Sequence, residues 1–291
     1  MSVQTPTLPP MTGGPSPASG PTPPPRNRSL RIALLTIGSA LVLLLVGVGI
    51  LQLVQSAADA NRGDGSGSYS AAGPFDTLEV DVSAAAVTVA YADVSEPRFD
   101  FDSGGSSLHF DQRMLGDTLR VTVGDRGWWP IRLFDVTSLG DATLAVTLPR
   151  DAEPLGLDVD SSAGSVRVDG DFADLSLESS AGDVELSGSA DSLHLETSAG
   201  RITATDLDVS GPVVAETSAG DTDLSFATLP SSISVDSSAG TVRVALPDGE
   251  YEIRTDTSLG TVQLGLPSTP GAERVYSFET SAGDLVLTPA P

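Results

Sequence analysis

An acidic residue recurs at one position in seven sequence repeats, and its carboxylate is the group best placed to do chemistry. In each repeat it directly precedes a Ser/Thr-Ser pair, and the alternation of apolar residues before it directs it away from the apolar side of a strand. The seven residues are Asp160, Glu178, Glu196, Glu216, Asp236, Asp256 and Glu279, and they are called the acidic column below. If equivalent positions stack about 5 Å apart, neighbouring carboxylates repel by about 1 kcal/mol in water.

Two interpretations fit the acidic column. Calcium prefers oxygen ligands, so the column could be a weak strip for divalent cations. The usual calcium signatures, an EF-hand loop or a Gly-Gly-x-Gly-x-Asp nonapeptide, do not occur in the sequence. The alternative is a solvated face whose charges keep the strands soluble and prevent edge-to-edge association.

A second candidate is the segment that holds both tryptophans of the chain. Trp128 and Trp129 are adjacent, and Arg126 and Arg132 flank them. Tryptophan and arginine are enriched in binding hot spots, so the segment could recognise a glycan, a lipid surface or a protein partner. In the alternative interpretation the two indoles form a cap that covers an open end of the β structure.

The pattern of nucleophiles and bases does not favour an enzyme. His109 and His194 are the only histidines, and the absence of cysteine excludes disulfides and thiolate chemistry. No Gly-x-Ser-x-Gly elbow is present, and His194, between two leucines, is expected at the surface. Paired carboxylates of the glycosidase type remain an alternative, but acidic residues are so numerous that no particular pair stands out. We expect no cofactor.

Short strands that meet at a tight corner must position these residues. The unit [Ser/Thr]-Ser-[Ala/Leu]-Gly recurs with glycine spacings of 18, 18, 20, 20, 20 and 23 residues. The apolar parity changes across Gly182, so the strand must bend there to keep its apolar side inward, and glycine allows the positive φ of such a bend. The predicted corner glycines are Gly164, Gly182, Gly200, Gly220, Gly240, Gly260 and Gly283.

Two architectures are compatible with these corners. If each unit is one rung, the chain forms a β-solenoid-like stack of ~18–20-residue repeats with parallel pairing between equivalent positions. If each corner closes a hairpin, it forms an antiparallel β meander or sandwich. The near-constant period favours the solenoid. No segment beyond residue 75 shows a 3.6-residue period, so we predict an all-β fold there.

An apolar segment near the N-terminus predicts a membrane anchor. Residues 31–54 contain an uncharged run long enough to cross a ~30 Å hydrocarbon core as a helix. Arg26, Arg28 and Arg31 precede this run, and all 39 acidic residues follow it. The positive-inside rule then places the N-terminus in the cytoplasm and the C-terminal domain outside the cell membrane. A cleaved signal peptide is the rival, but its apolar run would be only 7–15 residues long.

Shifts in composition predict the domain organisation. Residues 1–30 form a disordered, Pro-rich cytoplasmic tail, residues 31–54 a transmembrane helix, and residues 55–74 a flexible linker. Residues 75–150 form an N-terminal β region, and residues 151–291 form the repeat solenoid region. The chain has a net charge of −24 and no lysine, which argues against nucleic-acid binding.

The repeats resemble those of a known bacterial family. Units such as residues 179–184 (SSAGDV) and 197–202 (TSAGRI), behind a single anchor, are similar to the putative-adhesin family, also called the toastrack domain. The resemblance covers residues 75–291. It implies a surface-exposed, β-solenoid-like domain, sometimes linked to cell-envelope stress systems, and it supplies no catalytic residues.

These observations lead to one expected function and two alternatives. We expect a non-enzymatic, membrane-anchored, extracytoplasmic domain for adhesion or cell-envelope interaction, with an envelope protein or a cell-wall polymer as partner. The first alternative is an accessory or sensory subunit of an envelope-stress system. The second is a polysaccharide-processing enzyme on a β-repeat scaffold.

Overall fold

The computed structural model describes residues 61–62, 66–71, 73–125, 141–152 and 154–290. The predicted tail at 1–30 and the predicted anchor at 31–54 lie outside these residues. Within the described residues, no helix is long and apolar enough to cross a membrane. The described residues belong to one compact unit, Asp59–Pro291.

Eight strands precede the repeats, and six of them take part in antiparallel pairings. They are β1 Asn61–Arg62, β2 Gly67–Ser70, β3 Thr77–Val82, β4 Ala86–Ala92, β5 Arg98–Asp102, β6 Leu108–Leu115, β7 Thr118–Asp125 and β8 Thr143–Pro149. β1 pairs with β6, β6 with β7, β2 with β5, and β5 with β8, all antiparallel. β3 and β4 instead pair in parallel with β9 and β10 of the repeats, so the first region continues into the stack.

The repeats form the remaining twelve strands. They are β9 Gly156–Ser161, β10 Val166–Ser179, β11 Val184–Ala199, β12 Ile202–Val209, β13 Pro212–Ala219, β14 Thr222–Phe226, β15 Ser232–Ala239, β16 Val242–Leu246, β17 Glu252–Leu259, β18 Val262–Leu264, β19 Val275–Ala282 and β20 Leu285–Pro289. Every pairing among these strands is parallel. The predicted all-β, solenoid-like fold is therefore confirmed, and the antiparallel alternative is wrong for the repeats.

Each rung contributes one strand to each of two sheets. The front sheet contains β7, β3, β9, the second halves of β10 and β11, β13, β15, β19 and β17. The back sheet contains β8, β4, the first halves of β10 and β11, β12, β14, β16, β20 and β18. Apolar residues from both sheets form one continuous buried core, because every second side chain of a strand points inward.

The order of the last two rungs differs from their order in the sequence. β15 pairs with β19, and β19 pairs with β17, so the final repeat lies between its two predecessors. The inward positions explain this arrangement: β19 provides Tyr276 and Phe278, which are fully buried, whereas β17 provides Ile253 and Thr255 at the same positions. Placing the more apolar rung inside and the more polar rung at the edge removes more apolar surface from water.

The corners are built on directly stacked glycines. All seven predicted corner glycines have φ between +119° and +154°, a region that side chains rarely occupy. A Cβ atom at Gly200 would lie 2.1 Å from the carbonyl oxygen of Gly182, and one at Gly182 would lie 2.1 Å from that of Gly164. Glycine is thus required at each corner for two reasons: the backbone has a positive φ there, and the backbone of the neighbouring rung leaves no room for a Cβ atom.

Candidate functional site

The stack brings the acidic column together on the outer face of the front sheet. In the parallel register, Asp160 is paired with Glu178, Glu178 with Glu196, and Glu196 with Glu216. The column continues through Asp236 and Glu279 and ends at Asp256 on the edge strand. Neighbouring parallel strands lie about 4.8 Å apart, so these carboxylates form a ladder along the stack.

An eighth carboxylate, Asp81, extends the acidic column into the N-terminal region. Asp81 on β3 is in register with Asp160, and the neighbouring Val82 is in register with Ser161. Sequence reasoning missed Asp81 because Val82 replaces the Ser/Thr that marks the repeat. The degenerate Ser-Ala-Ala-Ala stretch at residues 83–86 was the available signal, since it occupies the corner position.

The two outer faces differ in how their acids are neutralised. On the back sheet, Arg201 contacts Asp221 at 3.0 Å and Asp223 at 3.2 Å, and Arg243 contacts Asp223 at 3.1 Å. On the front sheet, Arg120 pairs with Glu79 and Arg254 contacts Glu252 at 2.8 Å, both next to the acidic column but outside it. Within the described residues, no salt bridge involves a member of the acidic column. The acidic column is therefore less neutralised than Asp221 and Asp223 on the back sheet.

Burial and mutual repulsion raise the pKa of carboxyl groups at one end of the column. Burial is the main cause for Asp81, Asp158 and Asp160, and the charge of Asp160 adds to it at Asp81. Burial also raises the pKa of Glu178, followed by the charges of Glu196, Asp160 and Asp158, while His194 lowers it. Protons are therefore held more tightly here than on isolated carboxylates, as expected where like charges are crowded.

His194 joins the column at this same end, a feature that sequence reasoning did not identify. It lies on β11 two residues before Glu196 and points to the same outer face. One ligand atom each from Glu178, His194 and Glu196 lie within 4.8 Å of one another. His194 is half-buried. The alternation of the Leu-His-Leu segment predicted that its side chain points outward, but it did not predict which carboxylates lie beside it.

The remaining predicted residues fall outside this cluster. The segment with Arg126, Trp128, Trp129 and Arg132 lies outside the described residues, so its roles as recognition loop or cap stay predictions. A groove of about 730 Å³ lies near the start of the domain. Its walls include four prolines and two leucines, Pro74, Pro97, Pro149, Pro154, Leu148 and Leu155, which sequence reasoning did not connect.

Three solved structures show a distant similarity to this chain. The chain is similar to a putative cell adhesion protein from Clostridium sporogenes, with 10% identity, a TM-score of 0.32, and coverage of 79% of this chain and 100% of the other. It is similar to a putative adhesin from Bacteroides fragilis, with 12% identity, a TM-score of 0.37, and coverage of 80% and 98%. It is also similar to a putative lipid binding protein from Parabacteroides distasonis, with 9% identity, a TM-score of 0.41, and coverage of 77% and 98%.

Comparison at the level of sequence gives the family. None of the curated proteins compared with this chain matches it. The family model Toastrack DUF4097 matches residues 75–285, which include all seven corner glycines and the whole acidic column. The parallel rungs and stacked corners described above are found in this matched region. The chain therefore belongs to the Toastrack DUF4097 family.

Proposed function

We propose that this Toastrack domain is a non-enzymatic, extracytoplasmic binding domain that adheres to a cationic component of the cell envelope through its front face. The observation that carries the proposal is the in-register acidic column, which has no salt bridge within the described residues. Its members lie on adjacent strands of a rigid sheet, so they present regularly spaced negative charge without any need for ordering on binding.

The chemistry of the column selects for a partner with repeated positive charges. Carboxylates about 5 Å apart repel one another, and a polymer or protein that carries amines at comparable spacing would relieve this repulsion along several rungs at once. An amine-bearing wall polymer or a basic envelope protein meets this requirement. The strongly negative charge of the chain would also speed the encounter with such a partner at low ionic strength.

We propose that residues 31–54 anchor the domain in the cell membrane, with residues 1–30 in the cytoplasm. The support comes from the uncharged apolar run and from the three arginines that precede it. Protease treatment of intact cells tests this topology, because cleavage should remove the β domain and leave the N-terminal segment protected. Release of the full domain into the medium without protease would instead indicate a cleaved signal peptide.

Binding of the full-length chain to isolated cell envelopes tests the role of the front face. The triple variant Glu196→Gln, Glu216→Gln, Asp236→Asn removes three charges from the column, and we expect at least tenfold weaker binding with a reduced dependence on salt. The matched control Asp171→Asn, Asp191→Asn, Asp208→Asn removes three exposed charges elsewhere in the repeats and should bind nearly as the wild type.

The outcomes of this experiment distinguish the alternatives. Equal binding by both triple variants would contradict a role for the acidic column. A stable integral-membrane partner that survives the front-face variant would favour the accessory subunit of an envelope-stress system. Turnover of envelope glycans by the purified chain would favour the polysaccharide-processing enzyme.

The tryptophan segment is proposed as a second contact region of the same domain. Trp128 and Trp129 with Arg126 and Arg132 combine apolar surface and positive charge in an acidic chain. The variant Trp128→Ser, Trp129→Ser should lose binding while its melting temperature stays unchanged. A large drop in melting temperature would show that the indoles cap the β structure.

A further inference from the structure

We propose that Glu178, His194 and Glu196 form a binding site for a divalent transition metal ion of the zinc type. The three residues lie on two adjacent strands, β10 and β11, and face the same side of the front sheet. Their nearest ligand atoms lie within 4.8 Å of one another. The site concerns a metal ion rather than an envelope partner, so it stands independently of the proposed binding function.

The spacing of the three donor groups suits a first-row metal ion after small side-chain rotations. Zinc binds imidazole nitrogen and carboxylate oxygen at about 2.0–2.2 Å, which places two ligand atoms of a tetrahedral site roughly 3.3 Å apart. Glu178 and His194 are half-buried and Glu196 is exposed, so a metal ion can reach all three from solvent, and rotation of the two glutamate side chains would close this gap. Three protein ligands leave one position for water or for a further oxygen ligand such as Asp160, which is in register with Glu178.

The histidine distinguishes this point from the rest of the acidic column. The position of His194 is occupied by Ser176 on the preceding rung and by Val214 on the following rung. Further along the stack the equivalent residues are Ser234 and Ser277. None of these side chains offers a nitrogen ligand. Because imidazole favours zinc, copper and nickel over calcium, the selectivity for a transition metal should be confined to one rung pair.

Within the described part of the chain, the charged neighbours of the three side chains are the carboxylates of Asp158 and Asp160. Glu178, His194 and Glu196 form no salt bridge with an arginine and no hydrogen bond with another side chain there. Glu178 is flanked by two carboxylates of the column, Asp160 and Glu196. A bound dication would therefore replace repulsion between carboxylates by attraction to a shared charge.

Calorimetric titration of zinc chloride into the full-length chain tests the site. The chain is prepared without a histidine tag and freed of metal with a chelator that is then removed. We expect one zinc ion per chain. His194→Ala should weaken binding at least tenfold, and Glu178→Gln should also weaken it. Asp236→Asn, in the same column but with Ser234 in place of the histidine, should change the affinity less than twofold.

Two further measurements keep the outcomes interpretable. The melting temperature of metal-free His194→Ala should match that of the wild type, which shows that the variant folds. Zinc should shift the NMR signals of the His194 ring and leave those of His109 unchanged. Undiminished zinc binding by His194→Ala, an equal loss in Asp236→Asn, or no zinc binding by the wild type would each overturn the site. Calcium titration should give the same result with and without His194.

Discussion

Asp236 is in register with Glu279, although Asp256 belongs to the repeat that follows Asp236 in the sequence. The last two rungs have exchanged places, so that β17 and β18 form the end of the stack. Leu259, Val262 and Leu264 of this terminal rung are exposed, because within the described residues no further rung covers them. The apolar content of β19 thus decides which strand becomes internal.

The exchange of rungs predicts unequal costs for two substitutions at the same inward position. Phe278 on β19 is 1% exposed, and Thr255 on β17 is paired with it and exposed. Phe278→Ala should lower the free energy of unfolding by about 3–5 kcal/mol because it leaves a cavity in the core. Thr255→Ala should change it by less than about 1 kcal/mol. Chemical denaturation measures both, and similar losses would contradict the internal position of β19.

The stacked corners predict that Gly200 does not tolerate a side chain. Its φ is +148°, and an added Cβ would lie 2.1 Å from the carbonyl oxygen of Gly182. Gly200→Ala should therefore lower the free energy of unfolding by more than about 3 kcal/mol, through backbone strain and displacement of the neighbouring rung. The control is Gly73→Ala, where an added Cβ meets no atom within 4 Å and the loss should stay below about 1 kcal/mol. A mild effect at Gly200 would show that the corners can separate.

The inward hydroxyl groups next to the acidic column predict that two equivalent substitutions on adjacent rungs change the free energy of unfolding in opposite directions. Thr197 and Thr217 are paired and buried. The hydroxyl of Thr197 has no hydrogen-bond partner within the described residues, whereas that of Thr217 lies 2.9 Å from the hydroxyl of Thr222. Thr197→Val should raise the free energy of unfolding by about 1 kcal/mol, and Thr217→Val should lower it by about the same amount. Thermal unfolding of both variants checks the pair, and a loss in Thr197→Val would reveal an unseen partner.

The crowded carboxylates predict that stability depends on pH through Asp81 and Asp160. Burial raises the pKa of both groups in the folded chain, so the folded state binds protons more tightly than the unfolded state. Their contribution to the free energy of unfolding therefore rises as the pH falls from the raised pKa values toward the ordinary value of 3.8. Above that window they destabilise the fold by a constant amount.

Removing one of these charges tests whether the carboxylates destabilise the folded chain at neutral pH. Asp160→Asn relieves repulsion on two sides, about 1 kcal/mol at a spacing of about 5 Å in water, and should raise the melting temperature at pH 7 by about 2–4 °C. It should also reduce the gain in stability on acidification. Asp102 and Asp284 have lowered pKa values, so their contribution to stability falls on acidification. The contribution of Asp160 is therefore measured as the difference in stability between the variant and the wild type at each pH. A lower melting temperature of Asp160→Asn at pH 7 would contradict this prediction.

The local chemistry of the corners could be predicted from the sequence because it depends on residues close together in the chain. The change in apolar parity across Gly182 required a bend, and the constant period required equivalent bends to recur. These two facts favoured parallel rungs over an antiparallel meander, and parallel rungs align the acidic column on one face. The acidic position was visible because each copy precedes the same Ser/Thr-Ser pair.

Other features depended on contacts between distant segments, and only the tertiary structure decided them. Asp81 entered the column through the pairing of β3 with β9, for which the sequence carried only a degenerate corner. His194 approached Glu178 because β10 and β11 align 18 residues apart. The repeat period indicated this register, but the sequence did not show how closely the side chains of neighbouring rungs approach. The order of the last rungs followed from a competition between Phe278 and Thr255 for the core. Such a competition is settled by the total apolar surface buried, and this quantity exists only when all rungs are in place.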